Sequence, residues 1–432
     1  MTLRRTLFRI LCVTLTALPA TTAFAAPASA TPPTIPAFYD TPDPLPPGDP
    51  GDVIRSEPAP LTLSLPSPSG VYPGTATRIM FHTSDAHDAP ALATGLLLTP
   101  ATSWQGPGPQ PLVVYLNGTH GQGRQCAPSL QIPGLVQYTP PLDVMAEYEQ
   151  PFLYALLAEG YSVVVPDYPG LGVAGTTAFI NPIAEAHTAL DVARAAQRLG
   201  NPAIPAHGPI VFAGYSQGGH AAGSVAEHVA DYAPELDIKG IIAGATPADP
   251  LAVVDHADGG LLIGATGYVL NGLEAVYPEA AQQLSTLINP AGRAMMNDVA
   301  NQCAAETVLR YGLHHTSEWT ITGRPLSEVL NSNPTIAGIL ANLTLGNRTP
   351  TVPMLVTTGD NDDIVPAAPV RDLAARWCSD GATIQLTQTQ LPTILPGTII
   401  GHGLNLLTTF FTTTMTWIHD RFTGRPAPTT CT

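Results

Sequence analysis

The sequence predicts an α/β architecture: a mostly parallel sheet with helices on both faces, interrupted by one long, mostly helical insertion. Short apolar runs at 93–98, 111–116, 161–165, 209–213, 238–243 and 352–357 each close on Gly, Pro, Asn or Asp. That is the pattern of parallel strands buried on both faces. Stretches at 143–159, 182–199 and 217–230 carry apolar residues at helical spacing between several of these runs, and strands alternating with helices call for a parallel sheet covered on each side. Residues 246–348 then separate two runs where a simple connection needs only a few residues, and their Leu, Ile and Ala recur at helical spacing.

Taken in order, the chain opens with Arg4, Arg5 and Arg9, an apolar segment 10–18, and small residues ending in Ala23-Phe24-Ala25 or Ala28-Ser29-Ala30. This arrangement predicts a secretory signal over 1–30, since the apolar segment is short for a membrane span, and so no transmembrane anchor after cleavage. Residues 31–68 are crowded with Pro, Ala, Thr, Ser and Gly, which predicts an extended, poorly packed linker or N-terminal arm. The remaining 69–432 form the main domain, with 246–348 as a cap over the sheet enclosing an apolar pocket. Pro182 suits the first turn of its helix, and a last strand near 382–389 precedes a helix at 404–421. Export favours disulfides; without Cys12 the chain keeps Cys126, Cys303, Cys378 and Cys431, which spacing alone can pair in three ways.

The 432 residues include only 12% charged ones, a formal net charge of -16 and Lys239 as the sole lysine. Such a balance argues against nucleic-acid binding and against electrostatic attraction to anionic membranes. No Cys-x-x-Cys or helically spaced His pair suggests a metal, and His314-His315 reads as a surface or packing pair. No cofactor is expected.

The chemistry concentrates at Gly214-Tyr215-Ser216-Gln217-Gly218, which joins an apolar strand to a helix. A G-x-S-x-G turn of this kind raises a serine hydroxyl above the sheet, and its glycines remove side chains that would crowd it. A serine needs a base, and the base needs an orienting acid. In this architecture they follow in the order acid, then His. Gly359-Asp360-Asn361-Asp362-Asp363-Ile364-Val365-Pro366 follows the strand 352–357, and Asp362 occupies the acid position of a G-x-x-D-x-x-V-P turn. Asp360 and Asp363 read as turn or capping carboxylates. His402, between Gly401 and Gly403 in a strand-to-helix loop, is the base; His419 lies deep in the last helix. An oxyanion hole would use the amide of Gln217 and one from the Gly-rich loop 117–123, with Thr119 or His120 as second donor. Asn117 heads a glycosylation sequon, but a sugar there would block the site, so Asn342 and Asn347 are the more exposed acceptors.

These residues resemble the secretory lipases, the family typified by Candida antarctica lipase A. The likeness spans about residues 70–431 and rests on the serine pentapeptide, Cys126-Ala127-Pro128-Ser129, Asp167-Tyr168-Pro169-Gly170-Leu171-Gly172, and Asp362-Asp363-Ile364-Val365-Pro366 followed by Cys378. It implies an α/β-hydrolase fold with a helical cap, acting on carboxylic esters, often of long-chain acids. It also implies the pairs Cys126–Cys303 and Cys378–Cys431. Fungal members place an aspartate in the loop before Cys-Ala-Pro-Ser, whereas 117–125 holds no acid here, which favours backbone amides as oxyanion donors.

The expected function is that of a secreted serine ester hydrolase, a lipase or esterase acting through an acyl-enzyme on acylglycerols or other lipid esters, with transient contact at a lipid interface. Two other readings share the same residues. One is a cell-envelope acyltransferase, in which an alcohol replaces water; the other is a catalytically inactive hydrolase fold that binds ligands.

Overall fold

The computed structural model describes residues 35–67 and 70–431; the expected signal segment lies outside them. Among the described residues the main sheet has nine strands: β1 Val53–Pro58, β2 Gly74–Ser84, β3 Pro90–Pro100, β4 Leu112–Leu116, β5 Ser162–Pro166, β6 Ile210–Tyr215, β7 Ile238–Gly244, β8 Met354–Gly359 and β9 Ile384–Thr389. They lie in the order β1-β2-β3-β5-β4-β6-β7-β8-β9. From β5 to β9 every neighbouring pair is parallel.

The first three strands depart from expectation. The run at 93–98 belongs to β3, which is antiparallel to both β2 and β5, so it does not join the parallel set. β1 and β2 escape a search for apolar runs because polar and charged residues interrupt them: Arg55, Glu57 and Arg78 lie on the β1/β2 pair, where Arg78 Nη1 meets Glu57 Oε1 at 3.0 Å. Within the stretch expected to be a loosely packed arm, Tyr39 is fully buried and its hydroxyl bonds Ser129 at 2.7 Å, while β1 forms the sheet edge. An aromatic anchor and a row of strand hydrogen bonds outweigh the disordering tendency of the prolines.

The helices are α1 Pro128–Gly134, α2 Gln150–Ala158, α3 Pro182–Arg198, α4 Gln217–Tyr232, then seven between β7 and β8 (α5–α11: Pro250–His256, Thr266–Val276, Pro278–Leu287, Pro290–Val299, Ala304–Tyr311, Leu326–Asn331 and Pro334–Leu343), and finally α12 Ala367–Ser379, α13 Ile400–Thr409 and α14 Met415–Phe422. Pro182 opens α3, and the Asn181 side chain caps it by accepting the amides of Ile183 and Ala184. The helix expected over 143–159 begins only at Gln150; Asp143–Ala146 pairs instead with Val136–Thr139 as a hairpin, and Asp143 binds Cys303 N at 3.0 Å and Gln125 Nε2 at 2.7 Å. The final helix starts earlier than expected, at Ile400, and runs through a π-type turn, Phe410–Thr414, into α14.

Because strand residues alternate between faces, the sheet feeds two cores. Leu112, Val114, Leu116 and Phe212 pack with α3, α4 and α12. Val113, Tyr115, Val211 and Ala213 pack with α2 and α14. The insertion carries its own core around Tyr268, Leu284, Met295, Trp319 and Ile336. A disulfide, Cys126–Cys303, ties the insertion to the chain just after the Gly-rich loop, and Cys378–Cys431 ties the C-terminal segment to α12.

Candidate active site

The serine turn sits at the carboxyl end of β6. Ser216 has φ 60° and ψ -122°, a sparsely populated conformation for a residue with a side chain, costing on the order of 1–3 kcal/mol. Neighbouring backbone holds it there: Ser216 N donates to Gly244 O at 2.9 Å, and Ser216 O accepts from His220 N at 2.9 Å. The glycines are sterically required. A Cβ on Gly214 would overlap the carbonyl of Gly218, and one on Gly218 would overlap the carbonyl of Leu116. The turn can therefore close only where both positions lack a side chain.

Asp362 and His402 meet beside this turn. His402 Nδ1 lies 2.9 Å and 2.8 Å from Asp362 Oδ1 and Oδ2. Asp362 is buried and also accepts the amides of Ile364 at 3.0 Å and Val365 at 2.9 Å. Burial pushes the Asp362 carboxyl up, but the charge and hydrogen bond of His402, with those two amides, outweigh it and hold the carboxyl below its ordinary value. A carboxylate kept ionised against Nδ1–H leaves Nε2 as the basic nitrogen. Among the described residues Ser216 and His402 make no hydrogen bond to each other; such contacts commonly tighten only with substrate.

His402 stands in the first turn of α13 and not in the loop before it. Asp363 fixes that turn, accepting His402 N and Thr398 N at 3.0 Å each. Asp360 lies outside the cluster, bonded to Gln388 Nε2. His419 packs against Trp104 and Tyr161, far along the helix. His314 and His315 are exposed partners of Glu318 and Asp258.

Tyr215, the unspecified residue before the serine, is the contributor that sequence reasoning missed. Its hydroxyl donates to His402 O at 2.8 Å and accepts Asn405 Nδ2 at 2.8 Å, and its ring lies 4.8 Å from the imidazole. Burial, then the charge of Asp362, raises its hydroxyl well above the usual value, so it stays a donor. From the insertion, His256 Nε2 reaches Asp362 O at 2.9 Å. No motif marks either residue.

Ser216, Gln217 and Thr119 line one pocket, together with Ile364 and Val365 from the acid turn. Its far wall comes from the insertion, including Val254, Leu262 and Val269, so its surface is largely apolar. Among the described residues the amides of Thr119 and Gln217 donate to no protein acceptor. His120 does not line this pocket. Its ring is buried, with Nδ1 3.0 Å from Gly118 O and Nε2 3.1 Å from Glu147 Oε2, stacked at 5.0 Å on Tyr148. The buried sequon residue Asn117 is likewise withdrawn from solvent, unlike Asn342 and Asn347.

Among the described residues two groups bring metal-ligating atoms within 4.8 Å of one another: His120 with Glu147 and Glu149, and Cys126 with Asp143 and Cys303. The sulfurs of the second are bonded to each other; in the first, His120 Nε2 already bonds Glu147, and Glu149 accepts from Gly118 N and Tyr115 Oη. Burial lowers His120, but the charge and hydrogen bond of Glu147, with Glu149 behind it, overcome this and push it up to about 9. Burial raises Glu149, the charge of His120 opposes it, and the result is about 7. For His120 the stabilisation is fully present below its ordinary value of 6.5 and is lost as pH rises through about 9. The melting temperature is therefore expected to fall across that window, and to fall less steeply in His120→Gln; parallel slopes by calorimetry would contradict this ionisation.

Comparison with known proteins follows the same residues. A family profile described as secretory lipase matches residues 137–430. A Mycobacterium tuberculosis protein named as a probable inactive lipase is 27% identical over 87% of this chain and 79% of its own length. A secreted triacylglycerol lipase of Malassezia furfur is 27% identical over 80% of this chain and 86% of its own. The crystal structure of Candida antarctica lipase A in its closed state superposes with a TM-score of 0.72 at 22% identity, covering 92% of this chain and 87% of that one. A rice cell wall degrading esterase from Xanthomonas oryzae gives a TM-score of 0.69 at 18% identity over 87% of this chain and 100% of that one. The architecture is thus an α/β-hydrolase fold, and the chain belongs to the secretory lipase family.

Proposed function

We propose that this protein is a secreted serine ester hydrolase in which Ser216 is the nucleophile, His402 the base and Asp362 the orienting acid. The supporting observation is the buried, ionised Asp362 holding His402 Nδ1 beside a strained serine turn. Ser216 Oγ attacks an ester carbonyl while its proton passes to His402 Nε2. The oxyanion is met by the amides of Gln217 and Thr119. Collapse of the tetrahedral adduct returns the proton to the leaving alcohol, and water then frees the acid by the same steps. The apolar wall supplied by the insertion favours an acyl chain over a polar group in the pocket. Membership of a secretory family supports export, and no helix among the described residues is long and apolar enough to cross a membrane.

The similarity to a probable inactive lipase favours one other reading: a hydrolase fold that binds lipid esters without turning them over. Substitutions separate the two. Ser216→Ala should abolish hydrolysis of a p-nitrophenyl ester with the circular dichroism spectrum unchanged, and Asp362→Asn should lower kcat by about 10³- to 10⁴-fold. Asp360→Asn should stay within about threefold of wild type, because an exposed carboxylate outside the cluster carries little of the barrier. A wild-type chain without turnover would support the inactive reading.

Specificity gives a second test. Each methylene buried in an apolar pocket contributes about 0.8 kcal/mol, or roughly fourfold. In a series of p-nitrophenyl esters, kcat/KM should therefore climb steeply from acetate upward until the pocket is filled. A flat series would remove the acyl pocket from the proposal.

A further inference from the structure

We infer that His120, Glu147 and Glu149 form a buried positioning cluster beneath the Gly-rich loop, which fixes the Thr119 amide where the oxyanion develops. The inference rests on the proposed serine chemistry and adds residues to it.

Loop 117–120 is held at all four of its carbonyls and at the Gly118 amide. Gly118 N donates to Glu149 Oε1 at 3.1 Å. Gly118 O faces His120 Nδ1 at 3.0 Å, Asn117 O accepts Tyr168 Oη at 3.2 Å, and Thr119 O accepts Tyr148 Oη at 3.3 Å. His120 O accepts Ala304 N of α9 at 2.8 Å. Among the described residues neither the Thr119 amide nor the His120 amide has a protein acceptor, and of the two residues only Thr119 shares the pocket with Ser216 and Gln217.

Behind these bonds the carboxylates are themselves braced. Glu149 Oε1 also accepts Tyr115 Oη at 3.2 Å, and Tyr115 is part of β4, the strand that feeds the loop. Glu147 Oε1 accepts Glu149 N at 2.9 Å, while its other oxygen faces His120 Nε2 at 3.1 Å. The three side chains are buried. Burying two carboxylates is costly unless a cation and donors meet them; the imidazole between them, with Tyr115 and two backbone amides, meets that requirement. A loop fixed from below by charge-assisted hydrogen bonds is preorganised, which is what oxyanion stabilisation needs. The loop itself holds no acid, so its fixing groups come from 147–149.

Steady-state hydrolysis of p-nitrophenyl butyrate by the full chain, with butylboronic acid as a mimic of the tetrahedral adduct, tests the cluster. Glu149→Leu should lower kcat by about 10- to 100-fold, the scale of a misplaced catalytic group, with KM within about twofold and the boronate inhibition constant rising in step. Glu149→Gln keeps an oxygen for Gly118 N–H and should restore most of that loss. Tyr148→Phe, a surface change that removes only the bond to Thr119 O, should lower kcat by about threefold or more and decides the matter should Glu149→Leu fail to fold. Wild-type kcat in Tyr148→Phe and the Glu149 variants, or a loss in KM with boronate affinity unchanged, would overturn the cluster while Ser216→Ala stays inactive. Activity retained by Ser216→Ala would instead overturn the serine reading, and the cluster with it.

Discussion

The close approach of backbone at the end of β6 is the constraint on which the site depends. Gly214 and Gly218 let the turn pack against itself and against the carbonyl of Leu116, and that packing, with the backbone hydrogen bonds of Ser216 to Gly244 and His220, keeps Ser216 at φ 60°. Strain of about 1–3 kcal/mol persists where surrounding structure over-determines it. Here β4 and β7 flank β6 in parallel register, so the turn rests on a sheet buried on both faces. The same crossing brings the Gly-rich loop after β4 next to the serine, which is why donor candidates and proposed nucleophile share one pocket.

Around that turn, each polar group is held by something that is not itself reactive. Tyr215 and Asp363 hold the backbone of His402, and the amides of Ile364 and Val365 hold Asp362. The insertion reaches the same cluster through His256 and covers the pocket with aliphatic side chains. Its own core lets it stand as a packed unit. The Cys126–Cys303 bond joins it to the segment just beyond the Gly-rich loop, so two walls of the pocket are covalently linked.

Legibility in the sequence followed burial. Strands β4 to β8 are continuous apolar runs because both faces are covered, and they stand out. At one end of the sheet, β1 and its neighbour β2 carry Arg55, Glu57 and Arg78 and lack that pattern. The proposed Ser216, Asp362 and His402 are legible in glycine-marked turns and chain order. Tyr215 occupies a position the motif leaves open, and its role depends on Asn405 and His402, which the fold alone brings near. Glu147 and Glu149 were hidden because the stretch 143–159 reads as one helix; the hairpin at its start turns them toward a loop far back in the chain. The position of His120 in that loop marks its amide as a donor candidate, whereas nothing in the sequence shows that its side chain faces the carboxylates.

Mass spectrometry after brief exposure to a fluorophosphonate tests the central claim most directly, because it reads the reactivity of one hydroxyl without assuming a substrate. The expected result is a single adduct per chain on Ser216, formed orders of magnitude more slowly in Asp362→Asn and absent in Ser216→Ala. An unmodified wild-type chain, or an adduct on any other residue, would contradict the activation of Ser216 by the Asp362–His402 pair.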